Sequence, residues 1–216
     1  MPDFAREAEG SRSTKFALRN RSITARRSLS ESARRAAASS IQLHLRSLIH
    51  TSTPTPPQDE APTVAAYVPV GSEPGGPDLP ELLAEALPPG GRLLLPVLLD
   101  DGDLDWALYE GPLSLRAGPR GLREPAGRRL GVDAIREATL VIVPALAVDR
   151  LGMRLGRGGG SYDRALARTA SAFTVALLYD GELVDSVPAE EHDQPVEAAI
   201  TPSGGVTLKL DSDWTK

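Results

Sequence analysis

The chain has 216 residues, a formal net charge of −5, three histidines and no cysteine. That length suits one domain with a sizeable core, and the missing cysteine excludes disulfide scaffolds and thiolate metal sites. The modest negative charge argues against a general nucleic-acid binder, and no apolar run approaches the roughly 20 residues of a membrane span.

Residues 1–12 are polar and charged, without period and without the apolar segment of a signal peptide, so they read as a disordered extension of a cytoplasmic protein. A helix is expected over 14–27, with Lys15, Arg19 and Arg26 on one face. Two readings stand for that stripe: a solvated basic face, or a face turned toward phosphate. Ser28 and Glu31 have capping-box spacing for a second helix whose apolar stripe includes Ile41, Leu45 and Leu48. The proline-rich stretch 51–62 reads as a linker inside one domain. TVAAYVPV (63–70) reads as a strand, GSEPGG (71–76) as a turn, and a helix starts near Pro77.

Glu73 follows the C-terminal end of that strand, where open α/β sheets bind ligands; the alternative is an exposed turn carboxylate. Strands are expected at 92–99 and 105–109, and Trp106 and Tyr109 are either core or walls for a flat heterocycle. Residues 111–129 form a long loop rich in Gly, Pro and Arg, of a kind that is often functional. An apolar strand ends near Pro144 ahead of the glycine-rich segment. After it come a helix, a strand at 173–179, a polar loop with His192 and Asp193, and an edge strand at 206–210. The expected fold is α/β: a single domain over 13–211, built on an open mixed, mainly parallel sheet flanked by helices.

The segment LGMRLGRGGGSYDR (151–164) carries Gly152, Gly156, Gly158, Gly159 and Gly160. Such a loop lets successive backbone N–H groups turn inward and cradle an anion, with Ser161 as the candidate cap of the following helix. It has neither the Gly-Lys-Ser/Thr ending of a P-loop nor the spacing of a dinucleotide fingerprint. Arg154 and Arg157 suit phosphate oxygens. Asp163 either complements the helix dipole or shares a magnesium ion with phosphate, and the loop itself is either an anion site or a plain turn.

The longer run VPALAVDRLGMRLGRGGGSYDR resembles the signature of the 5-formyltetrahydrofolate cyclo-ligases, also called methenyltetrahydrofolate synthetases. The resemblance extends from Lys15 to about Thr201. It implies conversion of 5-formyltetrahydrofolate to 5,10-methenyltetrahydrofolate with ATP and Mg2+, by phosphorylation of the formyl oxygen. It further implies ATP contacts from Lys15, Arg19, Arg154, Leu155, Gly156, Arg157, Gly158, Gly159, Gly160, Ser161 and Tyr162. Substrate contacts are expected from Val68, Glu73, Arg157, Gly158, Gly159, Gly160 and Ser161. Arg154, Tyr162 and Asp163 are the implied catalytic residues, and Asp163 and Asp193 the implied metal ligands. GLREP (121–125) matches an element placed near the substrate, and Pro188, His192, Asp193 and Thr201 match a further family run.

Ser161 stands where the family usually has Tyr or Phe, and Gly159 where some members carry Lys. The implied partners are small molecules, reduced folate and ATP, with no nucleic acid or membrane, bound by a monomer. The alternative is a non-catalytic paralogue of the same fold that binds folate or nucleotide. An RNA binder using the arginine-rich N-terminus is a weaker third reading, because no aromatics interleave with the basic residues.

Overall fold

The apolar runs assemble into one central sheet. The computed structural model describes residues 3–52, 61–169 and 171–208. Its first half contains α1 (Asp3–Ser28), α2 (Glu31–Ser52), β1 (Thr63–Ala65), α3 (Leu79–Ala86), β2 (Arg92–Leu98), β3 (Leu104–Leu108), β4 (Leu115–Ala117) and β5 (Arg123–Pro125). Its second half contains β6 (Leu140–Pro144), β7 (Ala147–Asp149), β8 (Arg154–Leu155), α4 (Ser161–Leu166), β9 (Phe173–Leu177), β10 (Leu183–Val184), β11 (Ala198–Thr201) and β12 (Gly205–Leu208).

The central sheet has the order β12-β11-β9-β6-β1-β2-β3. β11, β9, β6, β1 and β2 run parallel, while β12 and β3 pair antiparallel at the two edges. This is the mixed, mainly parallel sheet that the sequence predicts. Side chains alternate across it with period two. On β6, Leu140 and Ile142 join the core layer with Ile41 and Leu45 of α2 and Leu79 and Leu83 of α3. Val141 and Val143 join the opposite layer with Trp106, Ile135 and Leu166. β9 divides in the same way, Val175 and Leu177 against Ala176. Because both faces are covered, the central strands read as continuous apolar runs rather than alternating ones.

Several expectations shift. Residues 3–12, expected to be disordered, continue α1 toward the N-terminus; residues 1–2 lie outside the described ones. Only Gly10 interrupts the helix-forming run, and an anchored helix extends at little cost per residue. The hydroxyl of Thr14 bonds back to the Gly10 carbonyl (2.9 Å), as a mid-helix threonine does. The cap of α2 is Ser30, whose Oγ accepts the Ala33 N–H (3.1 Å), whereas Ser28 donates to the Ala25 carbonyl and closes α1. Residues 51–52 finish α2, and 53–60 of the expected linker lie outside the described residues, as do 209–211 at the end of the expected domain. The loop 111–129 is not structureless: β4 and β5 form a small hairpin within it. Trp106 is fully buried core, not a ligand wall.

β1 is shorter than the apolar run that contains it. It ends at Ala65, and the Ala66 N–H still reaches the Leu94 carbonyl (3.0 Å) before Tyr67 and Val68 leave the sheet to line a cavity. The strand ends where that cavity begins.

Candidate active site

The cavity has a volume of about 860 Å³ and opens beyond the C-terminal ends of β1 and β6. Ligands of open parallel sheets sit at that end because the loops diverge there. The residues expected to touch ATP, substrate or metal all line it: Lys15, Arg19, Val68, Glu73, the run 154–163, and Asp193.

Its cations arrive from two directions. α1 supplies Lys15 and Arg19, and the glycine-rich segment supplies Arg154 and Arg157. Lys15 Nζ lies 2.7 Å from Asp193 Oδ2 and 3.2 Å from Glu190 Oε1. Arg19 donates through Nε to the Gly156 carbonyl (2.9 Å), tying α1 to the loop. Arg154 donates through Nη2 to Asp163 Oδ1 (2.8 Å), and its guanidinium lies 5.9 Å from the Tyr162 ring centre. Arg157 reaches Glu73 Oε1 at 3.1 Å. A solvated basic face is therefore not the fate of α1: Lys15 is 6% exposed and Arg26 is 3% exposed. Arg26 is gripped through Nε and Nη2 by Glu182 (2.7 Å each).

The loop owes its path to glycine at two points that face the cavity. Gly158 and Gly160 have φ of 97° and 68°, a region that side chains disfavour. Gly152 serves packing instead: an added Cβ would stand 2.0 Å from the Val196 carbonyl oxygen. The cap expected at Ser161 is not formed. Gly160 occupies the N-cap position without a side-chain bond, and the Ser161 hydroxyl donates to the Gly102 carbonyl. α4 has only six residues, so a helix dipole adds little here, and the positive character of the cavity comes mainly from side-chain cations and loop N–H groups. Leu155 turns its side chain into an apolar cluster with Leu146, Ala147 and Val187.

The acids differ in state. Burial pushes the Glu73 carboxyl above its usual range, against the Val70 N–H and Arg157. Burial acts in the same sense on Asp193, but the Lys15 ammonium and the Glu190 N–H outweigh it and hold that carboxyl low. Burial and the nearby Glu73 push the Tyr162 hydroxyl up, so it stays a neutral phenol.

No cluster of three or more His, Asp or Glu side chains that could hold a metal occurs among the described residues. The pair Asp163 and Asp193 suits the magnesium mode, in which one or two carboxylates act together with substrate phosphates. Their hydrogen bonds each run to a single oxygen, Oδ1 of Asp163 and Oδ2 of Asp193. The Gln194 N–H bonds Asp163 Oδ1 (3.3 Å) and so links the two segments.

Sequence reasoning missed Glu190 and Gln194, although both flank the His192-Asp193 pair and were open to suspicion. It also missed Tyr67, whose hydroxyl holds the Pro74 carbonyl (2.8 Å) and braces the turn that carries Glu73.

Fold and cleft together define an α/β protein with a cation-lined cavity at the C-terminal edge of its sheet. Comparison with known proteins narrows this. The family model described as 5-formyltetrahydrofolate cyclo-ligase family matches residues 11–202. A 5-formyltetrahydrofolate cyclo-ligase from Mycolicibacterium smegmatis is 47% identical over 150 residues, covering 67% of this chain and 75% of the relative. The protein of that name from Escherichia coli is 34% identical over 152 residues, covering 68% and 82%. The solved 5,10-methenyltetrahydrofolate synthetase of Aquifex aeolicus superposes with a TM-score of 0.71 at 29% identity, over 92% of this chain and 94% of that one. The chain belongs to the 5-formyltetrahydrofolate cyclo-ligase family and is an enzyme.

Proposed function

We propose that this cleft cyclises 5-formyltetrahydrofolate to 5,10-methenyltetrahydrofolate, with ATP converted to ADP and phosphate. One observation carries the assignment of roles: Lys15, Arg154 and Arg157 each meet a carboxylate within a single cavity, beside a glycine loop. Before substrate arrives, these groups neutralise one another. A triphosphate replaces the acids as partner of the cations. Arg154 Nε supports this, being a buried donor without a hydrogen-bond partner among the described residues. Lys15, Arg19, Arg154 and Arg157 take the phosphates, and Gly158, Gly159 and Gly160 offer backbone N–H groups. Asp163 and Asp193 would hold Mg2+, which when bound supplies charge neutralisation at the phosphate oxygens.

An amide-like formyl group is a poor electrophile, and its oxygen is a poor leaving group. Transfer of the γ-phosphoryl to that oxygen corrects both: the bond to ADP breaks and a new P–O bond forms. The neighbouring folate nitrogen then attacks the formyl carbon and loses its proton, the C–O bond breaks, and phosphate departs. Such chemistry needs positioning and charge stabilisation more than covalent help from the protein. Val68 and Glu73 face the pterin and formyl group, and the neutral Tyr162 hydroxyl is available to donate or accept a hydrogen bond, with its ring free to stack. We read the enzyme as a cytoplasmic monomer, and the missing cysteine suits a reducing compartment.

The test mixes protein, 5-formyltetrahydrofolate, ATP and magnesium and follows methenyl absorbance, with ATP omitted as the control. Absorbance should rise only with ATP. Retained ligand binding without that rise would favour the non-catalytic paralogue.

A further inference from the structure

The turn between β2 and β3 is far from the glycine loop in sequence, yet it holds it from outside the cavity. Ser161 Oγ donates to the Gly102 carbonyl, and Arg164 Nη2 donates to that same oxygen at 2.6 Å. Next to it, Asp103 takes both terminal nitrogens of Arg168 in a bidentate pair, and Arg164 Nε lies 3.8 Å from Asp103 Oδ1. Asp103 is 8% exposed and lies outside the cavity wall, as does Arg168. Its own turn is rigid: the Leu104 N–H bonds Asp103 Oδ1, and the Gly102 N–H bonds the Leu99 carbonyl (2.9 Å each). Gly102 has a φ of 82°, and a Cβ there would meet Arg164 Nη2 at 3.2 Å, so glycine suits this contact.

We propose that Gly102 and Asp103 clamp the glycine loop, fixing residues 156–163 in their ligand-accepting shape through Ser161, Arg164 and Arg168. Asp103 and Arg168 are then positioning residues. Ser161 contributes its hydroxyl to the clamp rather than to the cap of α4. Ordering the loop beforehand removes an entropic cost from ligand binding. That the ligand is ATP rests on the function proposed above; the clamp itself does not.

Amide hydrogen exchange on the ligand-free protein tests the clamp directly. Asp103→Asn should speed exchange in residues 156–163 about tenfold, while β6 and β9 keep their wild-type rates. The milder Ser161→Ala, which leaves the ion pair intact, should speed the same segment less, and Ser161→Thr should restore it. Unchanged loop exchange in Asp103→Asn sinks the clamp; so does acceleration spread evenly over β6 and β9, which marks general destabilisation. Where the wild type turns over, KM for ATP should rise about tenfold in Asp103→Asn, and an unchanged KM despite a loosened loop also rejects the idea. Absence of wild-type turnover would reject the proposed function and leave exchange alone to judge the clamp.

Discussion

Two buried arginine–carboxylate pairs border the cavity, and they are built to different degrees of completion. The side chains of Arg26 and Arg154 are equally buried, each 3% exposed. Arg26 grips both oxygens of Glu182, gives a further bond to the Ala145 carbonyl, and stacks 5.5 Å from the Tyr179 ring centre. Glu182 also accepts the Tyr179 N–H (2.8 Å). Arg154 makes one short bond to Asp163, a long one of 3.4 Å to the Pro144 carbonyl, and leaves Nε without a partner. The same two residue types thus give a closed joint in one place and an open one in the other. Donors already satisfied by the fold have nothing to offer a ligand. Donors left partly unsatisfied gain by meeting one.

The largest expected effect comes from breaking the closed joint. Arg26→Ala strands Glu182 in a buried setting and should cost about 3–5 kcal/mol of stability. For a chain of this size that lowers Tm by about 10 °C, readable by circular dichroism. Glu182→Gln should act in the same direction. A variant as stable as the wild type would show that Arg26 is no more committed to structure than Arg154.

The open joint should fail differently. Arg154→Ala or Asp163→Asn should lower turnover by about a hundredfold or more, from loss of about 2.7–4 kcal/mol of transition-state stabilisation. Steady-state kinetics measure this, with thermal unfolding alongside. The expected fall in Tm is smaller than in Arg26→Ala. Near-normal turnover in both variants would remove the catalytic assignment.

This contrast also marks how far the sequence could be read. The strands were legible because burial on both faces leaves continuous apolar runs such as LVIV in β6. The loop was legible because only glycine tolerates its backbone at Gly158 and Gly160. Helical spacing placed Lys15, Arg19 and Arg26 on one face, but spacing cannot say what that face meets. Lys15 turned out to meet a cavity acid, and Arg26 a structural one. The partners of Ser161 and Arg168, Gly102 and Asp103, lie 59 and 65 residues away in sequence, and nothing local announces such contacts. The cap at Ser30 in place of Ser28 was a smaller miss, since two serines two positions apart compete for one helix end.

A third pair lies between the two extremes and gives the smallest effect. Glu73 has a side chain 8% exposed, but its partner Arg157 is 60% exposed. An ion pair with one solvated member contributes only about 0–1 kcal/mol, so burial of the carboxylate should dominate. That agrees with the upward displacement of Glu73, which the Val70 N–H, Arg157 and Arg26 oppose without reversing. The sign follows: a raised folded pKa means the native state holds the proton more tightly than the unfolded chain does. The contribution of Glu73 to stability is then fullest below the ordinary glutamate value of about 4.3, and declines as pH rises through the raised value. Glu73→Gln has no proton to lose there, so its Tm should gain on the wild type as pH rises from about 4.3 through the raised value. Thermal unfolding of both proteins across that range measures the gap. A gap that stays constant would mean the carboxylate ionises at no net cost in the fold. A gap that reverses would mean Arg157 governs the pair and holds the Glu73 carboxyl below its ordinary range.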